Sequence, residues 1–404
     1  MIYYKLKSNP HIKSINSINN INNITAVFKD ITNNEEPYIN ALCNKYIIQA
    51  KQHINNELEY WDIFKKMTNP YEYIHTPYSG KSIVSKLRPL SRAYYKMIEL
   101  LEEFELLQQY NKTFINTFHL AEGPGGFIEA LAESRNNKSD IYHGITLTDS
   151  TNIIIPGWSK INSVLKKFPN IMIETGVSGD GDLYKYENLL YLQKKYSNTM
   201  DLITADGGFD FSIDFNKQEI YAIQLIYTQI IYALILQKKG GCFIIKIFDC
   251  FSKSMVDLIY VLTSCYDDIY ITKPDTSRKA NSEKYIVCKG YTPLEDIVLN
   301  KLLDIFNNIV VNGEKQRYIC SIFDNKHNIH YINEIKEINT LFGQTQVENI
   351  YQTIILIKKC NQRNNSKYNI MQKKHINLCI EWCKKYNIPY NETKKRNLFL
   401  DNDI

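Results

Sequence analysis

The chain has 404 residues, 44% of them hydrophobic and 23% charged, with a formal net charge of +5. That composition predicts a sizeable core, in one large domain with appendages or in two domains, and the mild positive balance suits a nucleic-acid ligand without requiring one. No stretch approaches about 18 consecutive apolar residues, no apolar leader segment is present, and the nine cysteines include no C-x-x-C pair; a membrane span, a secretory signal, a zinc ribbon and a disulfide framework are not indicated, and the expectation is a soluble intracellular protein in a reducing compartment.

In chain order, residues 1 to about 30 are polar and rich in Asn, Ser and Ile, with the low-complexity run Ser14-Ile-Asn-Ser-Ile-Asn-Asn-Ile-Asn-Asn, and read as a weakly ordered arm. Residues 36–67 carry apolar positions at helical spacing (Ile39, Leu42, Ile47, Ile54, Leu58, Trp61, Phe64). A second helix over 91–110 puts Tyr94, Met97, Ile98, Leu101 and Phe104 on one face. Strand-length apolar runs then recur at 113–120, 141–147, 171–175, 201–205, 242–248, 268–272 and 285–288, with helical patterns between most of them, notably 216–237 and 254–264. Strands alternating with helices predict a mostly parallel, doubly wound α/β sheet. The last two runs are joined by a short polar loop and predict an antiparallel edge hairpin. Beyond about Thr292 the strand rhythm stops, and 293–404 read as helices with polar connections and a basic stretch at Lys394-Lys395-Arg396.

In an open α/β sheet the ligand lies beyond the carboxyl ends of the strands. The first candidate there is the run Phe118-His119-Leu120-Ala121-Glu122-Gly123-Pro124-Gly125-Gly126-Phe127, an apolar strand passing through a glycine-rich turn into an amphipathic helix. Glycine lets bare backbone approach a ligand. The Gly-Pro-Gly-Gly spacing is neither G-x-G-x-x-G nor G-x-x-x-x-G-K-[ST], which argues against a dinucleotide fingerprint and a P-loop and favours a cofactor such as S-adenosylmethionine. Other strand ends carry Asp206 before Gly207-Gly208, Lys246 within the apolar strand 242–248, and Glu283 where the last strand begins. Taken singly, Asp206 reads as a turn or capping residue and Lys246 as a snorkelling lysine, and Glu283 is nearly uninformative. The functional reading of Lys246 is an amine able to take a proton once desolvation and a nearby cation depress its pKa.

Together these residues make the chain resemble the FtsJ-like ribose 2′-O-methyltransferases, which use a Lys-Asp-Lys-Glu tetrad. The family's first lysine lies in a helix before the cofactor strand, in a motif like Ser91-Arg92-Ala93-Tyr94-Tyr95-Lys96. The resemblance implies that Lys96, Asp206, Lys246 and Glu283 are the catalytic set. In this scheme Lys246 is the general base, Lys96 the charge that depresses its pKa, and the two carboxylates orient the lysines. It also implies S-adenosylmethionine as cofactor, bound by Glu122, Gly123, Pro124, Gly125, Gly126, Phe127, Asp182 and Asp206, with no metal.

Local features are similar to the Adrift-type cap-specific mRNA 2′-O-methyltransferases: Glu122-Gly-Pro-Gly-Gly-Phe-Ile-Glu129, Thr204-Ala-Asp-Gly-Gly-Phe-Asp210, Lys273-Pro-Asp-Thr-Ser-Arg278, Asn281-Ser-Glu-Lys-Tyr-Ile-Val-Cys288 and Ser178-Gly-Asp-Gly-Asp-Leu183. Asp182 is the position that by resemblance meets the adenine end of the cofactor. The family's acidic residue at the end of the second strand has no clear counterpart, Asp149 being a weak candidate. The implied architecture is a Rossmann-like sheet of seven strands with an antiparallel last pair. It spans 80–291, between an N-terminal arm and helical extension (1–79) and a C-terminal helical extension (292–404). The implied substrate is capped mRNA, methylated at the first or second transcribed nucleotide. The alternatives are rRNA or tRNA ribose methylation, or a catalytically silent RNA-binding subunit.

No membrane is implied, and a partner protein of the capping machinery stays unidentified. The Asn-, Ile-, Lys- and Tyr-rich composition with cap-type motifs resembles a large DNA virus enzyme, which implies a host-cell cytoplasm or a virion. Lys81, Lys86, Arg88 and Arg92, and in the tail Lys373, Lys374, Lys384, Lys385, Lys394, Lys395 and Arg396, are candidate phosphate contacts or solvated helix faces. His375, Cys379 and Cys383 recur at helical spacing and read as a buried stripe ahead of a metal set, because no fourth ligand is suggested.

Overall fold

The computed structural model describes residues 1–6, 23–31, 36–111, 113–149, 151–152, 155–208, 217–314, 317–324, 326–360 and 365–392. Its strands are β1 (Ile2–Leu6), β2 (Ile24–Asp30), β3 (Asn116–Leu120), β4 (Ile141–Ile145), β5 (Ile171–Glu174), β6 (Met200–Ala205), β7 (Gln237–Ile247), β8 (Tyr266–Lys273), β9 (Lys284–Tyr291) and β10 (Arg317–Phe323). Its helices are α1 (Ala41–Ile54), α2 (Leu58–Met67), α3 (Ala93–Glu103), α4 (Gly126–Arg135), α5 (Asn162–Lys167), α6 (Tyr186–Tyr196), α7 (Gln218–Leu236), α8 (Lys253–Cys265), α9 (Asp296–Glu314), α10 (Ile329–Cys360) and α11 (Asn365–Lys385).

Eight strands form one sheet in the order β1-β8-β9-β7-β6-β3-β4-β5. Strands β3 to β7 pair in parallel, whereas β9 is antiparallel to both β7 and β8. Parallel strands need helices on both faces, so they are largely buried: all six residues of β6 are buried. Successive side chains divide between the two faces. Ile203, Phe243 and Ile245 pack with α6 to α10, while Leu202, Cys242 and Ile244 pack with α3, α4, α5 and α11. Among the described residues α7 is the one helix long and apolar enough to cross a membrane, yet 83% of its apolar window is buried; it is a core helix.

All seven expected strands are present, and two features of the flanks differ. The expected weakly ordered arm supplies β1, which pairs antiparallel with β8 and makes the sheet eight-stranded. The same arm also supplies β2, which pairs antiparallel with β10 of the expected C-terminal helical extension as a separate ribbon. Both pairings join segments far apart in sequence, so no local pattern announces them. The hairpin is antiparallel as expected, but its second strand lies inside the sheet, between β8 and β7. Residues 14–22 of the low-complexity run and the basic stretch at 394–396 lie outside the described residues.

Candidate active site

At the carboxyl end of β3 the chain turns through Glu122 to Gly125 into α4. Gly125 has φ +113°, and a Cβ there would stand 2.5 Å from Ile161 Cδ1, so the turn requires glycine. Glu122 folds back over the helix start: its Oε1 accepts from the N–H groups of Phe127 (2.7 Å) and Ile128 (2.9 Å). Its Oε2 is buried and has no hydrogen-bond partner among the described residues. Burial pushes this carboxyl up to about 8, against the lowering pull of those amides.

Two neighbouring loops are stitched to the turn by Thr146, just past β4. Its hydroxyl accepts from Gly123 N–H (3.1 Å), and its carbonyl packs so closely on Gly181 that a Cβ there would lie 2.1 Å away. Thr148 N–H donates to the Asp180 carbonyl (2.8 Å). Asp182 therefore joins Gly123, Pro124, Gly125, Gly126 and Phe127 at one end of the sheet, with its Oδ1 accepting from Tyr184 N–H (2.9 Å). Asp149 instead accepts from Thr151 N–H (2.8 Å) and hydroxyl (2.6 Å) in its own exposed turn.

The four expected catalytic side chains come together beside the glycine-rich turn. Lys96, buried in α3, sits with its Nζ 2.7 Å from Glu283 Oε1. Lys246 donates to the Asp206 carbonyl (2.6 Å) and lies 3.2 Å from Asp206 Oδ1. The two pairs are joined by Tyr285, whose hydroxyl donates to Asp206 Oδ1 (2.7 Å) and accepts from Lys96 Nζ (3.3 Å). Tyr285 is the register partner of Lys246 across β7 and β9.

Positive charge is in excess around Glu283. Burial alone would raise Glu283, but Lys96, Lys246 and Lys273 hold it well below the usual carboxylate range. Lys96 is lowered because its desolvation outweighs the attraction of Glu283 and Asp206.

Sequence reading missed Tyr285, Ser277, Lys273 and Thr146. Ser277 donates to Glu283 Oε1 (2.7 Å), and Lys273 Nζ donates to the Glu283 carbonyl (2.6 Å). Tyr285 had a readable signal: two residues beyond Glu283 in a strand-forming run, it shares that residue's face. The others depend on loop contacts with no sequence period.

No group of three His, Cys, Asp or Glu able to hold a metal occurs among the described residues. His375, Cys379 and Cys383 are all buried along α11, where Cys379 Sγ donates to the Pro70 carbonyl (3.4 Å). Among the candidate basic residues, Lys81, Lys86, Arg88, Lys373, Lys374, Lys384 and Lys385 are exposed. Lys86 N–H donates to the Pro389 carbonyl and Asn391 N–H to the Val84 carbonyl (both 2.8 Å), so the two basic segments run side by side. Arg92 is half-buried and donates to the Thr276 carbonyl (3.2 Å).

Comparison with known proteins adds an independent line. The FtsJ-like methyltransferase family matches residues 89–291. The chain is 30% identical over 355 residues to cap-specific mRNA (nucleoside-2′-O-)-methyltransferase 2 of Danio rerio, covering 78% of this chain and 44% of that protein. It is 30% identical over 246 residues to cap-specific mRNA (nucleoside-2′-O-)-methyltransferase 1 of the same organism, covering 59% and 29%. The chain thus spans less than half the length of these curated relatives. A solved structure described as a ribosomal RNA methyltransferase from Plasmodium falciparum aligns at TM-score 0.37 with 19% identity, over 51% of this chain and all of that one. The matched segment takes in about half of the chain together with Lys96, Asp206, Lys246 and Glu283, and the chain belongs to the FtsJ-like methyltransferase family.

Proposed function

We propose that this chain is an S-adenosylmethionine-dependent ribose 2′-O-methyltransferase acting on capped mRNA, at the first or second transcribed nucleotide. One observation carries the reading: Lys96, Asp206, Lys246 and Glu283 form a single hydrogen-bonded cluster, through Tyr285, next to the glycine-rich turn. The two cap-specific relatives support the choice of capped mRNA.

The residues at the turn fit a cationic, purine-bearing cofactor. Glu122 and Asp206 bring two carboxyls close to the glycine-rich turn, and among the described residues one buried oxygen of Glu122 has no donor. Glu122, Gly123 to Phe127, Asp182 and Asp206 would hold it. When bound, S-adenosylmethionine supplies a methyl carbon already activated by its sulfonium, so no metal is called for.

The chain's own work is on the ribose. A 2′-hydroxyl is a poor nucleophile at neutral pH, and a positioned base contributes roughly 10²–10⁴-fold. Lys246, acting as its neutral amine and becoming the ammonium, is assigned as the group that takes the hydroxyl proton, aimed by its contacts with Asp206. Glu283 anchors Lys96, and Tyr285 ties the two pairs into one unit.

The exposed basic segments around Lys81–Arg88 and Lys373–Lys385 are assigned to the RNA backbone. Residues 80–291 are taken as the catalytic unit between extensions 1–79 and 292–404. Composition and cap-type motifs support a large DNA virus as the source. Labelled-methyl transfer to matched capped and uncapped RNAs, followed by mapping of the modified ribose, tests the reading. Transfer to a 2′-oxygen of the capped RNA alone is expected. Equal methylation of both RNAs would remove the cap assignment. A Lys246→Ala protein with wild-type turnover and intact cofactor binding would remove Lys246 as base.

A further inference from the structure

The Glu283 carboxylate belongs to the loop joining β8 to β9, and that loop is gripped from outside the family-matched segment. Glu72 lies in a 3₁₀ turn, Glu72–Ile74, and is fully buried. Its carboxylate takes Arg278 in a two-pronged bond, Nε to Oε2 at 3.0 Å and Nη2 to Oε1 at 2.6 Å. Asn69 Nδ2 (2.9 Å to Oε2) and the Thr76 hydroxyl (3.0 Å to Oε1) also donate to it. Arg278 directly follows Ser277, whose hydroxyl bonds Glu283 Oε1, and Glu283 Oε1 in turn meets Lys96. Arg92, four residues before Lys96, donates to the carbonyl of Thr276 in the same loop. Burial would raise the Glu72 carboxyl, but the Arg278 hydrogen bonds, with the charges of Arg92 and Arg278, hold it down at about 2.

We propose that Glu72 is a positioning residue of the methyl-transfer site: through Arg278 it sets the loop that presents Glu283 to Lys96. A planar guanidinium held at two points fixes direction as well as distance. Glu99 anchors the start of the loop separately, accepting from Asp275 N–H (2.5 Å) and Thr276 N–H (2.8 Å). Losing Glu72 therefore frees the segment around Ser277 and Arg278 without detaching the whole loop. A misplacement of about 1 Å at a catalytic group costs on the order of 100-fold in rate.

The inference rests on the methyl-transfer reading of the site, and the test separates the two. Full-length wild type, Glu72→Gln, Arg278→Gln and the double variant are compared by steady-state transfer to capped RNA, by calorimetry with S-adenosylmethionine, and by amide hydrogen exchange over residues 274–283. Glu72→Gln is expected to lower kcat roughly 10- to 100-fold, with cofactor Kd within about twofold and faster exchange confined to 274–283. The double variant should be no slower than the slower single one, because both residues act through one contact. Wild-type kcat in Glu72→Gln, or losses that multiply in the double variant, would overturn the proposal. If wild type transfers to no RNA, the functional reading fails, and exchange decides this one: unchanged protection over 274–283 overturns it. Should Glu72→Gln not fold, Glu72→Asp carries the same readouts.

Discussion

Replacing Tyr285 by Phe isolates the atom that joins the two lysine–carboxylate pairs. The ring stays, tilted against Phe127 with centroids 5.9 Å apart, so no cavity opens. What goes is one hydroxyl, 2.7 Å from Asp206 Oδ1 and 3.3 Å from Lys96 Nζ. Neither charge is orphaned, because Asp206 keeps Lys246 and Lys96 keeps Glu283. A hydrogen bond to a charged group contributes about 1.5–3 kcal/mol, and that range bounds the expected loss of stability. If the hydroxyl's alignment is used in the transition state, the same energy appears in the rate. At 1.36 kcal/mol per factor of ten it lowers kcat roughly 10- to 100-fold. Single-turnover methyl transfer, urea denaturation and cofactor calorimetry are measured on the same preparations. The expected pattern is a fall in the chemical step with cofactor affinity held within about twofold. A stable Tyr285→Phe protein with wild-type single-turnover rate would refute the idea that the pairs act as one unit, as would a loss wholly in cofactor binding.

Three further outcomes follow from the same geometry. Glu122 is held up at about 8 by burial, above its unfolded value of about 4.3, so the stability it contributes is complete below that lower value and lost as pH rises through 8. Glu122→Gln should flatten the decline of the unfolding free energy between about pH 5 and 8.5 by an amount on the order of a few kcal/mol, read by urea denaturation, and an unchanged slope would count against this account. At Gly208 a Cβ would stand 3.1 Å from Lys246 Nζ and 3.3 Å from its Cε, so Gly208→Ala should slow transfer about tenfold by displacing the amine while leaving cofactor Kd unchanged. Trp382 in α11 donates to the buried Glu99 Oε1 (3.2 Å), so Trp382→Phe should cost about 1–3 kcal/mol in urea denaturation.

The parts of the molecule that could be read from sequence are those with a local period or an out-of-place residue. Strands β3 to β9 were readable because burial on both faces makes them apolar runs between helical patterns. Lys246 stood out as one charge in such a run, and Asp206 as a carboxylate closing another. Strand β1 offers only five residues, and its pairing edge on β8 belongs to the far side of the sequence. The pairing of β2 with β10 has the same character. Glu72 was hidden for a related reason. It lies among helical and turn residues, and its meaning comes from Arg278, which the fold brings to it.

The two glutamates of the crevice show how the division of labour is built. Both are strongly desolvated, yet they titrate in opposite directions. Glu283 has Lys96, Lys246 and Lys273 around it and stays ionised, so its half of the site already holds its counter-charges. Glu122 has two backbone amides on one oxygen and, among the described residues, no partner on the other, and burial leaves its carboxyl inclined to keep a proton. A cation arriving beside Glu122 would be stabilised by its ionised form, whereas a cation arriving beside Glu283 would meet three lysines. Lysine charge dominates at Glu283, whereas burial dominates at Glu122. Pairs of carboxyls pushed apart in this way are how one pocket assigns different tasks to identical functional groups.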